Sequence, residues 1–83
     1  MKIGLNLRRS DNMKPGTLVK LCRNQGARYE GVDHLRKVWF NVLPKHVGMY
    51  IKTYKRNELI VNDIILIEDR LIEVDRGVMV PLE

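Results

Sequence analysis

Residues 63–80 read Asp-Ile-Ile-Leu-Ile-Glu-Asp-Arg-Leu-Ile-Glu-Val-Asp-Arg-Gly-Val-Met-Val, an alternation of short apolar runs and charged breaks. The runs 64–67 and 71–74 are separated by Glu68-Asp69-Arg70, and the run 78–80 follows Asp75-Arg76-Gly77. Runs this short, rich in Ile and Val and cut by charged or Gly-containing breaks, predict β-strands in a tight meander. The alternate positions Ile64, Leu66, Ile72 and Val74 are its expected core. The acids Glu68, Asp69, Glu73 and Asp75 then read as solubilisers of a hairpin, the usual work of charges at such turns.

Upstream, the same pattern predicts further strands. Residues 17–22 are β-branched at Thr17 and Val19 and follow the turn signal Pro15-Gly16. Residues 23–34 are polar, contain Gly26 and Gly31, and predict a long loop. Residues 35–43 fit a short helix through Leu35, Val38, Trp39 and Val42, but their alternation and β-branched and aromatic content favour a strand that ends at Pro44. Residues 47–54 alternate, with Val47, Met49, Ile51 and Thr53 on one face and Gly48, Tyr50, Lys52 and Tyr54 on the other. A short strand over 58–61 and a turn at Asn62-Asp63 lead into the meander.

With 83 residues, there is room for one core. The expected division is a basic N-terminal arm, 1–13, and a compact domain, 14–83. The longest apolar run is four residues, too short to span a membrane as a helix. Arginines at positions 8 and 9 stand where a signal peptide needs its apolar core. Cys22 is the only cysteine. No intramolecular disulfide is possible, and a reducing, cytoplasmic compartment is expected.

Charge is unevenly spread. Residues 1–56 hold thirteen Lys or Arg against three acids, whereas residues 57–83 hold two against seven. Such a split is expected to give a basic face for a polyanion or an acidic protein, unless folding mixes the halves over one surface.

Strands entered from Pro15-Gly16-Thr17-Leu18-Val19-Lys20-Leu21 and continued by Val47-Gly48-Met49-Tyr50-Ile51, a central hairpin over 63–75, and the short link Arg76-Gly77-Val78-Met79 before Val80-Pro81-Leu82 resemble an SH3-like small barrel. The outline is similar to small barrel proteins of unassigned role in tailed bacteriophages. This resemblance covers residues 14–83. It implies an all-β barrel of five or six short antiparallel strands, a binding rather than catalytic role, and a host cytoplasm as the setting if the chain is viral.

The chemistry of individual residues points the same way. Cys22, His34 and His46 are twelve residues apart, without the close ligand pair on which zinc sites are built, so no metal or other cofactor is expected and both histidines read as exposed. No nucleophile stands beside a base in a known pattern and no Gly-rich phosphate loop is present, so the expected protein is not an enzyme. Two binding surfaces are candidates. Arg28, Tyr29, Arg36, Lys37 and Trp39 are of the types that anchor and steer protein contacts, and a protein partner is the leading expectation. Tyr50, Lys52, Tyr54, Lys55 and Arg56 form the alternative, a basic-aromatic face offering rings to bases and cations to phosphates. An oligomer joined by edge strands is a weaker third reading.

Overall fold

The computed structural model describes residues 13–82 and is all-β over that range. Seven strands form one antiparallel sheet curled into a half-barrel. They are β1 (Leu18–Leu21), β2 (Tyr29–Asp33), β3 (Trp39–Val42), β4 (Val47–Lys55), β5 (Val61–Ile67), β6 (Arg70–Asp75) and β7 (Met79–Pro81). Their order across the sheet is β3-β2-β6-β5-β4-β1-β7. A single 3-10 turn, Arg23–Gln25, follows β1. The expected arm over 1–13 lies outside the described residues except for Met13, which is buried in the core cluster and so belongs to the compact unit.

The inner face of the sheet is the core. Val19 and Leu21 of β1, Tyr50 of β4, Ile65 and Ile67 of β5, and Ile72 and Val74 of β6 all bury there with Val42 and Met79. Each fully buried side chain of this size contributes roughly 1.5–3 kcal/mol of transfer free energy. Gly48 marks where the layers come closest. A Cβ at Gly48 would stand 2.5 Å from Ile65 Cγ2 and 2.8 Å from Ile67 Cγ1, so no other residue fits without displacing the core.

The meander forms as predicted, and of its expected core Ile72 and Val74 face inward, but the register moves Ile64, still buried, and Leu66 to the other face. The β5–β6 turn is two residues, Glu68 and Asp69, with φ of 49° and 66°. Positive φ at both centres is the type I′ geometry, which matches the twist of paired strands. Ile67 therefore pairs with Arg70, and Ile65 with Ile72. A one-residue difference in register exchanges the faces of a strand. Ile65 and Ile67 thus face the core, whereas Ile64 and Leu66 pair with Glu73 and Leu71 on the outer face.

Four further expectations change. The strand expected over 35–43 begins only at Trp39, because Asp33 Oδ1 accepts the amides of Leu35 and Arg36 and turns the chain there. The polar loop over 23–34 contains β2, whose Gly31 leaves room for Ile72 and Val74 to pass. Of the strand expected over 58–61 only Val61 is in a strand, as the first residue of β5; Leu59 and Ile60 lie in the bend before it, where Asn57 Oδ1 accepts their amides at 2.7 and 2.9 Å, local bonds that compete with the ladder. The turn expected at Asn62-Asp63 lies inside β5, with both residues buried. The strand count among the described residues is accordingly seven, against the five or six expected.

Candidate functional site

A β-bulge decides which side chains meet on the outer face. In β4 the pairing steps from Tyr50↔Ile65 to Lys52↔Ile64, leaving Ile51 unmatched. The extra residue breaks the alternation. Tyr50 points inward, is 6 % exposed, and shares a hydroxyl bond of 2.6 Å with Thr53, which donates to Asp63 Oδ1 at 3.2 Å. Lys52 and Tyr54 point the other way. The expected stripe of Tyr50, Lys52 and Tyr54 therefore does not exist as one face.

What the outer face does assemble is a row drawn from both candidate sets. Lys52 stands opposite Ile64, Ile64 opposite Glu73, Glu73 opposite Val32, and Val32 opposite Trp39. At about 4.8 Å between strands, this row crosses five strands in about 19 Å. Glu73 is at its centre and is only 4 % exposed. Its reading as a hairpin solubiliser is corrected: Glu68, Asp69 and Asp75 are exposed, but Glu73 is buried.

Three donors hold the Glu73 carboxylate. Asn62 Nδ2 reaches Oε2 at 2.6 Å, Arg56 Nη2 reaches Oε2 at 3.1 Å, and His34 Nδ1 lies 3.2 Å from Oε1. Burial pushes this carboxyl up, but the bonds from Asn62, His34 and Arg56, together with the Arg56 charge, outweigh it and hold the group below the ordinary glutamate range. The His34 ring meets Tyr54 edge-on, with centroids 5.2 Å apart. Arg56 keeps half of its side chain in solvent.

Asp33 positions the hairpin that carries Trp39. It is buried at the end of β2, and its Oδ1 accepts the amides of Leu35 and Arg36 at 3.0 and 2.9 Å. The Arg36 N–H bond is the main cause that draws the Asp33 carboxyl below its ordinary range; burial opposes it, and the Leu35 N–H bond adds to it. The turn also needs Lys37 at a φ of 62°. The outcome is an apolar projection, with Leu35 at 71 %, Val38 at 48 % and Trp39 at 69 % exposure.

Past the Val32↔Glu73 pair, β2 and β6 stop pairing, while the β5–β6 ladder continues to Asn62↔Asp75. A cavity of about 270 Å³ opens at this divergence. Trp39 and Ile60 line it beside Arg56 and Asn62, with the carboxylates of Glu30, Glu73 and Asp75.

The remaining expected site residues distribute as follows. Arg28, Arg36 and Lys37 are exposed on the loops around β2 and β3. Tyr29 is half-buried against the core, and its hydroxyl accepts the Asp75 amide at 3.2 Å. Burial raises its phenol, and the Asp75 charge adds to this despite the opposing amide bond. Lys55 is exposed, with Glu58 3.9 Å away. Neither histidine is exposed as expected: both are half-buried, and His46 Nδ1 accepts the Leu43 amide at 2.9 Å. Among the described residues, no group of three or more His, Cys, Asp or Glu could hold a metal ion.

Glu73, Asn62 and His34 were not among the expected site residues. The signal available for Glu73 was its place inside an apolar run, between Ile72 and Val74, where a charge must find partners. No protein-family model, curated protein or solved structure matches the chain.

Proposed function

We propose that this chain is a non-enzymatic protein-binding module on an SH3-like small barrel, and that it docks its partner through the outer face around Trp39. The observation that carries the reading is the 69 % exposure of Trp39 on edge strand β3, next to exposed Leu35 and Val38. An indole costs free energy in water, and contiguous exposed apolar side chains mark interaction surfaces. Exposed Arg36 and Lys37 lie in the turn of this projection, and exposed Arg28 lies at the other end of β2; together they supply charge for steering. The SH3-like assignment is supported by the curl of a single antiparallel sheet and by the short link from β6 to β7.

The same geometry argues against a nucleic-acid face. Tyr50 is withdrawn into the core, and Glu73 stands between Lys52 and Trp39 in the cross-strand row. Asp75 adds a second carboxylate nearby. A phosphate path along this face would meet like charge.

The test is affinity capture with the tagged chain, identification of the captured protein, and titration of that protein in purified form against wild type and Trp39→Ala. Loss of a central aromatic anchor weakens such complexes by about 30-fold. Trp39 is exposed, so the variant should unfold within about 0.5 kcal/mol of wild type. Undiminished affinity in Trp39→Ala would overturn the proposal.

A further inference from the structure

The cavity beside Trp39 has the opposite sign to the protein that holds it. The chain carries a net charge of +5. Yet among the described residues that line the cavity three are acidic, Glu30, Glu73 and Asp75, and one is basic, Arg56. One wall is the indole of Trp39, and Ile60 supplies an apolar surface. Carboxylates beside an aromatic ring are the surroundings that a desolvated organic cation requires, since the ring attracts it through its quadrupole and the acids through their charge.

We infer that this cavity receives an arginine side chain of the protein partner. The inference rests on the protein-binding reading above and names the group that the partner inserts. Three considerations select arginine. At about 270 Å³ the cavity lies just below the range of roughly 300–1,000 Å³ typical of small-molecule sites, which suits one side chain better than a cofactor. A planar guanidinium stacks flat on an indole while its fork of donors pairs carboxylates in its own plane, a geometry that a tetrahedral ammonium lacks. Arg56 already shows how the site treats such a group: its Nη2 lies 3.1 Å from Glu73 Oε2, with half of the side chain still in solvent. Glu73 is occupied by this contact and by Asn62 and His34, so the entering cation is met by Glu30 and Asp75, both exposed.

Trp39 is the only tryptophan, so intrinsic emission reports on the cavity directly. The experiment titrates the full chain with a blocked Gly-Arg-Gly peptide and with its citrulline isostere, which keeps the shape and lacks the charge. A saturable change in Trp39 emission is expected with the arginine peptide, and binding about tenfold weaker or worse with citrulline. The double variant Glu30→Gln, Asp75→Asn changes two exposed residues and should bind the arginine peptide about tenfold more weakly, with an unfolding midpoint close to wild type. Equal binding of both peptides, no saturation, or an unaffected double variant would each overturn the inference. The two proposals fail separately. A partner lost by Trp39→Ala but indifferent to the double variant leaves the binding module and removes the arginine site. A peptide response without any captured partner keeps the site and removes the module reading.

Discussion

The β5–β6 hairpin buries residues on both of its faces, and holds them in different ways. On the inner face Ile65, Ile67, Ile72 and Val74 are at most 1 % exposed and join the apolar core, with buried Asp63 beside them accepting the Thr53 hydroxyl. On the outer face Asn62, Ile64 and Glu73 are 9 %, 1 % and 4 % exposed, yet two of the three are polar and one is charged. The inner face is held mainly by non-directional packing, the Tyr50–Thr53–Asp63 bonds apart. The outer face is held by bonds with fixed directions, and those bonds reach side chains far apart in the chain: His34 after β2 and Arg56 after β4. Burying a carboxylate is costly unless it is fully bonded, and replacing such a group by a well-packed apolar one is often neutral or stabilising. Packing alone therefore does not explain Glu73.

The largest effect should separate the two faces by deletion. Ile65→Ala removes a side chain enclosed by the core on every side and should cost about 3–4 kcal/mol in urea unfolding, because the surrounding layers leave a cavity. Ile64→Ala removes the same atoms at nearly the same burial. There the neighbours across the ladder are Glu73, held by its three donors, and exposed Lys52, whose long side chain can shift into the gap. Its cost should be smaller, about 2–3 kcal/mol. Equal losses, or a larger one at Ile64, would break the distinction between the faces.

A smaller effect sharpens the outer face. Glu73→Gln keeps an oxygen for Asn62 and Arg56 but removes the charge and turns an amide group toward a donor. The expected loss at neutral pH is about 1–2 kcal/mol. Acid should reveal the same interaction in the wild type. The folded carboxyl sits below its unfolded value, so the stabilisation is fully present above the unfolded value and is lost as pH falls through the folded one. Unfolding midpoints should therefore decline between about pH 5 and pH 3, with a shallower decline in Glu73→Gln. Asp33 is shifted in the same direction, so the variant should keep part of the slope. Identical slopes would show that Glu73 gains nothing from its three donors.

How much of this was legible in the chain follows from the same contrast. Strands β1, β4, β6 and β7 announce themselves because their apolar positions repeat over four to nine residues or stand against clear turns. Strand β2 does not, since Tyr-Glu-Gly-Val-Asp carries its pairing in the backbone and owes its fit to the missing side chain of Gly31. The two candidate surfaces were read from separate segments, and their meeting on one face depends on the bulge at Ile51, which leaves no mark in composition. Glu73 was visible as a charge inside an apolar run. Its partners were not, because Asn62, Arg56 and His34 converge on it only after three strand pairings are set.

The turn that sets this register offers the last and smallest test. Type I′ turns favour Asn-Gly, because both central residues take positive φ. Here Glu68 and Asp69 occupy those positions, and a side chain such as Glu pays roughly 1 kcal/mol to enter the left-handed region. Something else therefore fixes the register: Ile65 and Ile72 meet in the core, and a slip by one residue would expose them. Glu68 does have a neighbour, His46 Nε2 at 3.4 Å, but the glutamate side chain is 64 % exposed and such pairs contribute little. The double change Glu68→Asn, Asp69→Gly should accordingly stabilise the fold by about 0.5–1 kcal/mol without moving Trp39 emission. A net loss would mean that the Glu68–His46 pair outweighs the strain. A gain accompanied by altered emission would mean that the turn also governs the outer face, and that the two faces are not separable through this hairpin.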